Sequence, residues 1–277
     1  MAGPTSPVFG INSYAYTFTH TAERFLTELA ARGYRSFELM AYPGHMWPKA
    51  MSAADRTRLR RHAESLGARI FSLNMPNIDV NIAAASPDVR ALSIDHLMRI
   101  IALAAELGAQ GVVVGPGKSN PLFPMPRGEL LGHFHAAMET IVPAARAAGT
   151  RLFVENMPFA FLPGIGELMD AIDRYDRDVV QVVYDVANGH FIKENIAEGL
   201  RRAAPRLALV HLSDTGQKIY RHDPVGLGDV PFAIVPPVLA ELGHREAPML
   251  EVISTDADAN IEDSNRRLVA AGFRTLA

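Results

Sequence analysis

Short apolar runs rich in β-branched and aromatic residues alternate along the whole chain with stretches whose apolar residues recur at helical spacing. The run VFGINSY precedes a segment with Phe25, Leu26, Leu29 and Ala30 on one helical face, closed by Gly33. SFELM leads into a helix carrying Leu59, Ala63 and Leu66, which stops at Gly67. IFSLNMP leads into a longer one through Leu92, Leu97, Ile100, Ile101, Ala104 and Leu107, ended by Gly108. GVVVGPG precedes Leu131, Phe134, Met138, Ile141 and Ala145, with Gly149 as the stop. The second half continues with RLFVENMP and a helix near Glu167 to Tyr175, then VVQVVYDV and a helix near Ile192 to Ala203. LALVHLSD with a helix near Phe232 to Leu242, and PMLEVIS with a helix from about Asn260 to Ala271, complete the series.

Eight strand–helix pairs in 277 residues predict an α/β chain, a parallel sheet closed into a single (β/α)8 TIM barrel spanning 1–277. An open doubly wound sheet is the alternative. Its usual support is missing, because VFGINSYAY contains no Gly-x-Gly-x-x-Gly phosphate fingerprint.

A closed barrel gives meaning to what stands at the strand ends, because these converge on one face. Four runs end in Glu155, Asp185, His211 and Glu251. Three carboxylates and an imidazole make a first shell for one divalent metal ion, with positions left open for substrate oxygens. For any one of them alone, a helix cap or a partner for an arginine is an equally good reading; the four together are the unusual feature.

Other residues fall in the same strand-end segments. Asn74 and Asn156 either orient a substrate hydroxyl or cap a turn. Glu38 is a further carboxylate, most simply paired or supporting. His190 follows Asp185 by five residues, and Arg221 and His222 lie in the loop YRHDPVGLGDVPF; all three are candidates for substrate contact, whereas Asp214 is placed to orient His211 through a hydrogen bond. Tyr14, Phe18, Trp47, Phe159 and Phe161 are expected to wall the pocket or pack its loops. GPGKS at 115–119 lacks the first glycine of a phosphate loop, since Val112 occupies that position, so it reads as a barrel loop bordering the pocket, with Lys118 a candidate contact for an anionic substrate group.

Composition narrows the classes further. With 27 basic and 30 acidic residues the net charge is −3, which gives no reason to expect a nucleic-acid partner. There is no cysteine, which excludes disulfides, thiolate ligands and a cysteine nucleophile. The opening MAGPTSPVFG has no basic-then-apolar leader and no later run reaches membrane length, so a soluble, cytoplasmic protein without a membrane partner is expected. Homo-oligomerisation is left open.

FVEN, YDVANGHF, VHLSDT and RHDPVGLGDVPF followed by LEVIS, in that order, resemble the xylose isomerase-like barrel superfamily. The likeness is to its sugar phosphate isomerase/epimerase branch, which includes ketose 3-epimerases and inosose isomerases, and it covers nearly the whole chain. The resemblance implies a metal set of Glu155, Asp185, His211 and Glu251, with Glu155 and Glu251 as acid and base on opposite sides of the reacting carbon. It implies one divalent ion, Mn²⁺ by preference with Zn²⁺, Co²⁺ or Mg²⁺ also suited, and a small carbohydrate substrate that loses a proton next to a carbonyl to give an enediolate. The chain departs from ketose 3-epimerases at Asn188, where they carry a substrate-binding histidine, and at Phe161, where they carry a glutamate. Asn188 therefore becomes a substrate-binding candidate and a free ketohexose a less fitting substrate. Endonuclease IV-like relatives need histidines where this chain has LNMP and GPG. Two rival readings remain: dehydration of a cyclic keto-acid or keto-inositol at the same site, and a non-catalytic sugar-binding barrel.

Overall fold

The computed structural model describes residues 8–274, which form one closed barrel of eight parallel strands in sequential order. The N-terminal segment read for targeting signals lies mostly outside the described residues. In chain order the elements are β1 (Gly10–Asn12), α1 (Ala22–Ala31), β2 (Ser36–Met40), α2 (Ala53–Ser65), β3 (Arg69–Asn74), α3 (Pro87–Leu107) and β4 (Gly111–Val114). There follow α4 (Arg127–Ala148), β5 (Arg151–Glu155), α5 (Ile165–Ile172), β6 (Val180–Asp185), α6 (Val186–Phe191), α7 (Ile196–Ala203), β7 (Leu207–Leu212), α8 (Val235–Glu241), β8 (Met249–Leu250) and α9 (Ala257–Ala270). Closure is made by β1 pairing with both β2 and β8.

Helix ends follow the local chemistry. Ser52 and Asp55 form a reciprocal capping box on α2, and Gly108 and Gly149 close α3 and α4 in the left-handed conformation that glycine adopts without strain. One expectation is corrected between β6 and β7. The helix read near Ile192 to Ala203 is α7, which starts later, at Ile196, and a second helix not read from the sequence precedes it: Asp185 accepts from the Asn188 amide at 2.7 Å and so starts α6 directly at the strand end.

Apolar burial is divided into two layers. The outer one packs the helices on the sheet; the inner one, Phe71, Val113, Phe153, Val183, Leu209 and Met249, fills the barrel below the strand ends. The inner layer depends on missing side chains. A Cβ on Gly111 would stand 2.4 Å from the Phe153 ring, and one on Gly10 would stand 2.8 Å from Met249 Sδ. This plug leaves the upper barrel free for polar groups. Among the described residues no helix is long and apolar enough to cross a membrane.

Candidate metal centre and substrate pocket

The barrel gathers Glu155, Asp185, His211 and Glu251 into one buried group, each offering a ligand atom within 4.8 Å of the others. Strand register does this: Asp185 and His211 are direct partners across β6 and β7, and Glu251 continues the ladder by donating its amide to the Leu212 carbonyl at 3.0 Å. His211 Nδ1 stands 3.2 Å from both Glu155 Oε1 and Glu251 Oε2. Its other nitrogen, Nε2, lies 3.2 Å from Glu38 Oε1, at ion-pair distance but without hydrogen-bond alignment.

Charge balance at the centre is uneven. Burial pushes Glu155 up to about 7, with the negative charges of Glu251 and Glu38 adding to it against the His211 contact. Burial also raises Asp185 well above its ordinary range, reinforced by Glu155 and Glu251. Burial alone pulls His211 down, but Glu38 and Glu251 outweigh it and hold the imidazole well above its usual value. Glu38 goes the other way: its burial cost is exceeded by His211 and by hydrogen bonds, leaving its carboxyl lowered. Three anionic groups crowded out of water, two of them resisting ionisation, are a centre short of positive charge.

The donor set fits a divalent ion on its own atoms. Asp185 Oδ1 is occupied by the α6 amide, whereas Oδ2 is buried with no hydrogen-bond partner. An orphaned carboxylate oxygen facing two glutamates and an imidazole is what a cation would satisfy.

A ring of amides supports these groups. Asn12 Nδ2 donates to Glu38 Oε1 at 2.6 Å and Glu251 Oε1 at 3.1 Å, and Asn74 Nδ2 donates to Glu38 Oε1 at 3.0 Å. Ser72 adds a third donor to Glu38. Asn12 was not among the candidates from sequence, since β1 is only three residues long and asparagine is not a typical metal ligand; its strand-end position was the available signal.

Above the centre opens a cavity of about 400 Å³, lined by Glu155, Glu251, Tyr14, Asn74, Asn188, Tyr220 and His222 at its polar end. His222 is held by Ser213 Oγ at 2.9 Å and the Tyr220 hydroxyl at 2.6 Å, with Nδ1 3.6 Å from Glu251 Oε2. Tyr220 also donates to Asn188 Oδ1 at 2.6 Å. Tyr220 was overlooked in the sequence because its neighbours Arg221 and His222 carried the obvious polar chemistry.

Five sequence expectations are corrected. Asn156 exchanges hydrogen bonds with the Asp185 backbone, at 2.8 and 3.1 Å, and so fixes a ligand rather than lining the cavity. His190 Nε2 pairs with Asp229 at 2.7 Å, tying α6 to the loop after β7 and away from the cavity. Arg221 points to solvent, its closest carboxylate being Asp223 at 3.9 Å. Asp214 does not touch His211; it accepts from the amides of Thr215, Gly226 and Val230 and organises that loop. Phe161, expected near the pocket, packs instead against Phe134.

The family described as xylose isomerase-like TIM barrel matches residues 26–271. The chain belongs to that family. A relative in Methanocaldococcus jannaschii, the uncharacterized protein MJ1311, is 24% identical over 242 residues, 85% of this chain and 80% of its own. Among solved structures of the xylose isomerase-like fold, a D-tagatose 3-epimerase-like protein superposes with TM-score 0.81 at 20% identity, covering 95% of this chain and 96% of that one. The 3-keto-D-glucoside 4-epimerase YcjR from E. coli gives 0.78 at 17% identity over 94% and 98%. IolI protein with a binding zinc atom gives 0.77 at 18% identity over 95% and 96%.

Proposed function

We propose that this xylose isomerase-like barrel is a divalent-metal-dependent isomerase or epimerase of a small carbohydrate, working by proton transfer beside a carbonyl. The observation that carries the reading is the orphaned Asp185 Oδ2 within the buried group of Glu155, Asp185, His211 and Glu251, directly under an open cavity. Epimerase neighbours and a zinc-bearing one of the same fold support it.

Asp185 and His211 would serve as anchors, with Glu155 and Glu251 completing the set; Mn²⁺ is preferred, as three of the four donors are carboxylates, and Zn²⁺, Co²⁺ and Mg²⁺ also suit them. The ion would supply positive charge for the substrate oxygens as an enediolate develops. The protein's own residues do the rest. Glu155 and Glu251 both line the cavity, one to take the proton from the carbon next to the carbonyl and the other to return one. Without an ion, burial holds Glu155 up at about 7; a bound cation would favour its carboxylate form, the form that accepts a proton. Asn74, Asn188, Tyr220 and His222 offer hydrogen bonds to sugar hydroxyls.

The test is solvent deuterium uptake by Mn²⁺-loaded protein with ketoses, ketose phosphates, inososes and 3-keto-glucosides. Deuterium at one carbon of one class, without net loss of water, is the expected result. A new near-ultraviolet absorbance would instead identify a dehydratase, and saturable binding with no exchange a sugar-binding barrel.

A further inference from the structure

The cavity changes character along its length. Its floor is the polar group around Glu155, Glu251, Asn188 and His222, but the wall formed by the loops after β3 and β5 and by α3 presents Ile78, Val80, Ile82, Leu97, Met157 and Phe159. Ile78 and Phe159 stand at the outer lip with 78% and 62% of their surfaces exposed. Large apolar side chains left in water around a concave mouth mark a ligand groove.

The wall is built, and the polar residues that border it, Asn77 and Lys118, are already engaged. Lys118 Nζ donates to the Asn77 carbonyl at 2.9 Å and to the Ile78 carbonyl, Asn77 Oδ1 accepts from the Gly115 amide at 3.0 Å, and Asn81 bonds the Lys118 backbone on both sides. These contacts hold the Ile78 segment over the cavity. They also engage Lys118, and no arginine lines the cavity among the described residues, so a substrate phosphate finds no free cation there. Within the same wall Phe159 meets Tyr220 edge-on, ring centres 5.3 Å apart, and Tyr220 bonds Asn188 and His222. An aromatic surface thus runs from the lip to the polar floor.

A free ketose carries hydroxyls along its chain. Those set against the apolar wall would lose water and gain no partner, whereas an apolar group there gains burial. The cavity volume lies within the roughly 300–1,000 Å³ typical of pockets for drug-sized ligands.

We propose that the substrate is a keto sugar joined to an apolar substituent, an aryl or alkyl keto-glycoside, with the sugar on the polar floor and the substituent along Ile78, Ile82, Met157 and Phe159. This rests on the carbohydrate reading above and names its substrate class. The chemistry is unchanged: one proton leaves carbon for a glutamate and one returns, with the glycosidic bond intact.

Calorimetric titration of Mn²⁺-loaded protein with phenyl 3-keto-glucoside, methyl 3-keto-glucoside, fructose and fructose 6-phosphate tests the proposal, with deuterium uptake followed on the same samples. The phenyl compound is expected to bind at least about tenfold more tightly than the methyl compound, and that ratio is expected to fall toward one in Ile78→Ser and Phe159→Ser. Both positions are exposed, and the thermal midpoint of each variant confirms that it folds. Equal affinity for phenyl and methyl compounds, an unchanged ratio in both variants, or tightest binding of fructose or fructose 6-phosphate overturns the proposal. A phenyl preference without exchange supports this substituent site while removing the isomerase reading, and absence of saturable binding by every probe overturns both.

Discussion

Glu38 Oε1 lies 3.2 Å from His211 Nε2 while the opposite ring nitrogen, Nδ1, lies 3.2 Å from Glu155 and Glu251. The two faces of one imidazole are thereby assigned, Nε2 to a supporting carboxylate and Nδ1 to the candidate metal group. Glu38 in turn is held by Asn12, Ser72 and Asn74. A carboxylate held at ion-pair distance behind a ligating histidine raises its basicity.

Removing that charge has a defined consequence. Glu38→Gln retains the shape but weakens the hold on Nε2, so Mn²⁺ affinity is expected to fall about 10–100-fold. Calorimetric titration of metal-stripped protein measures it; affinity within twofold of wild type would leave Glu38 as packing alone.

The metal-free centre predicts a pH dependence. With Glu155 raised from 4.5 to about 7, the folded chain holds a proton that the unfolded chain has already released, so stability falls as pH rises through this range. His211, also raised, contributes in the same direction as pH climbs past its ordinary value, while Glu38, lowered, loses its contribution only in acid below its ordinary value. The Glu155 effect is on the order of a few kcal/mol. Thermal midpoints between pH 5 and 8 should therefore decline without metal, and the gain on adding Mn²⁺ should grow with pH. A metal-induced gain that is flat across this range contradicts the assignment of these groups as ligands.

Arg221 and Tyr220 are neighbours with opposite expectations. Arg221→Ala should leave KM and metal occupancy within about twofold, because the side chain points to solvent. Tyr220→Phe deletes the hydroxyl that joins Asn188 to His222 and should lower kcat/KM by up to about tenfold, the scale of one lost hydrogen bond. Steady-state kinetics on one substrate compares the two, and a larger loss for Arg221→Ala would reverse the picture.

The barrel plug can be tested without any substrate. Gly111→Ala would press a methyl group into the Phe153 ring and should destabilise by about 1–3 kcal/mol. Gly132→Ala, exposed in the second turn of α4 with open space around it, should stabilise by up to about 1 kcal/mol. Denaturant unfolding reports both, and equal effects would show that the inner layer yields.

Much of this was legible in the chain. β-rich runs ending in an acid or histidine, alternating with helical faces that stop at Gly33, Gly67, Gly108 and Gly149, contain both the barrel and the residues at its mouth. What was hidden is the difference between strand-end residues of similar type. Asp185 and Asp214 both follow β-rich runs, yet Asp185 keeps one oxygen free toward the centre, while both oxygens of Asp214 are taken by loop amides. Asn74 is the last residue of β3, whereas Asn156 comes one residue after β5 ends at Glu155 and falls on the other side of the pleat, so only Asn74 lines the cavity. Side-chain direction at a strand end depends on local pairing and on the loop that follows, neither of which a spacing pattern carries. The apolar wall was hidden too, because Ile78 and Ile82 come from the loop after β3 and Met157 from the loop after β5, which only the closed barrel juxtaposes.

Solvent deuterium incorporation by Glu251→Gln, on the substrate class that wild type exchanges and with metal occupancy determined on the same sample, tests proton transfer at this centre most directly. The substitution keeps an oxygen donor and the Asn12 contact region but removes the carboxylate that accepts a proton. Exchange is expected to fall by about 10²–10⁴-fold even where the ion is retained. Near-normal exchange at full occupancy would contradict the account and leave Glu251 as a structural ligand.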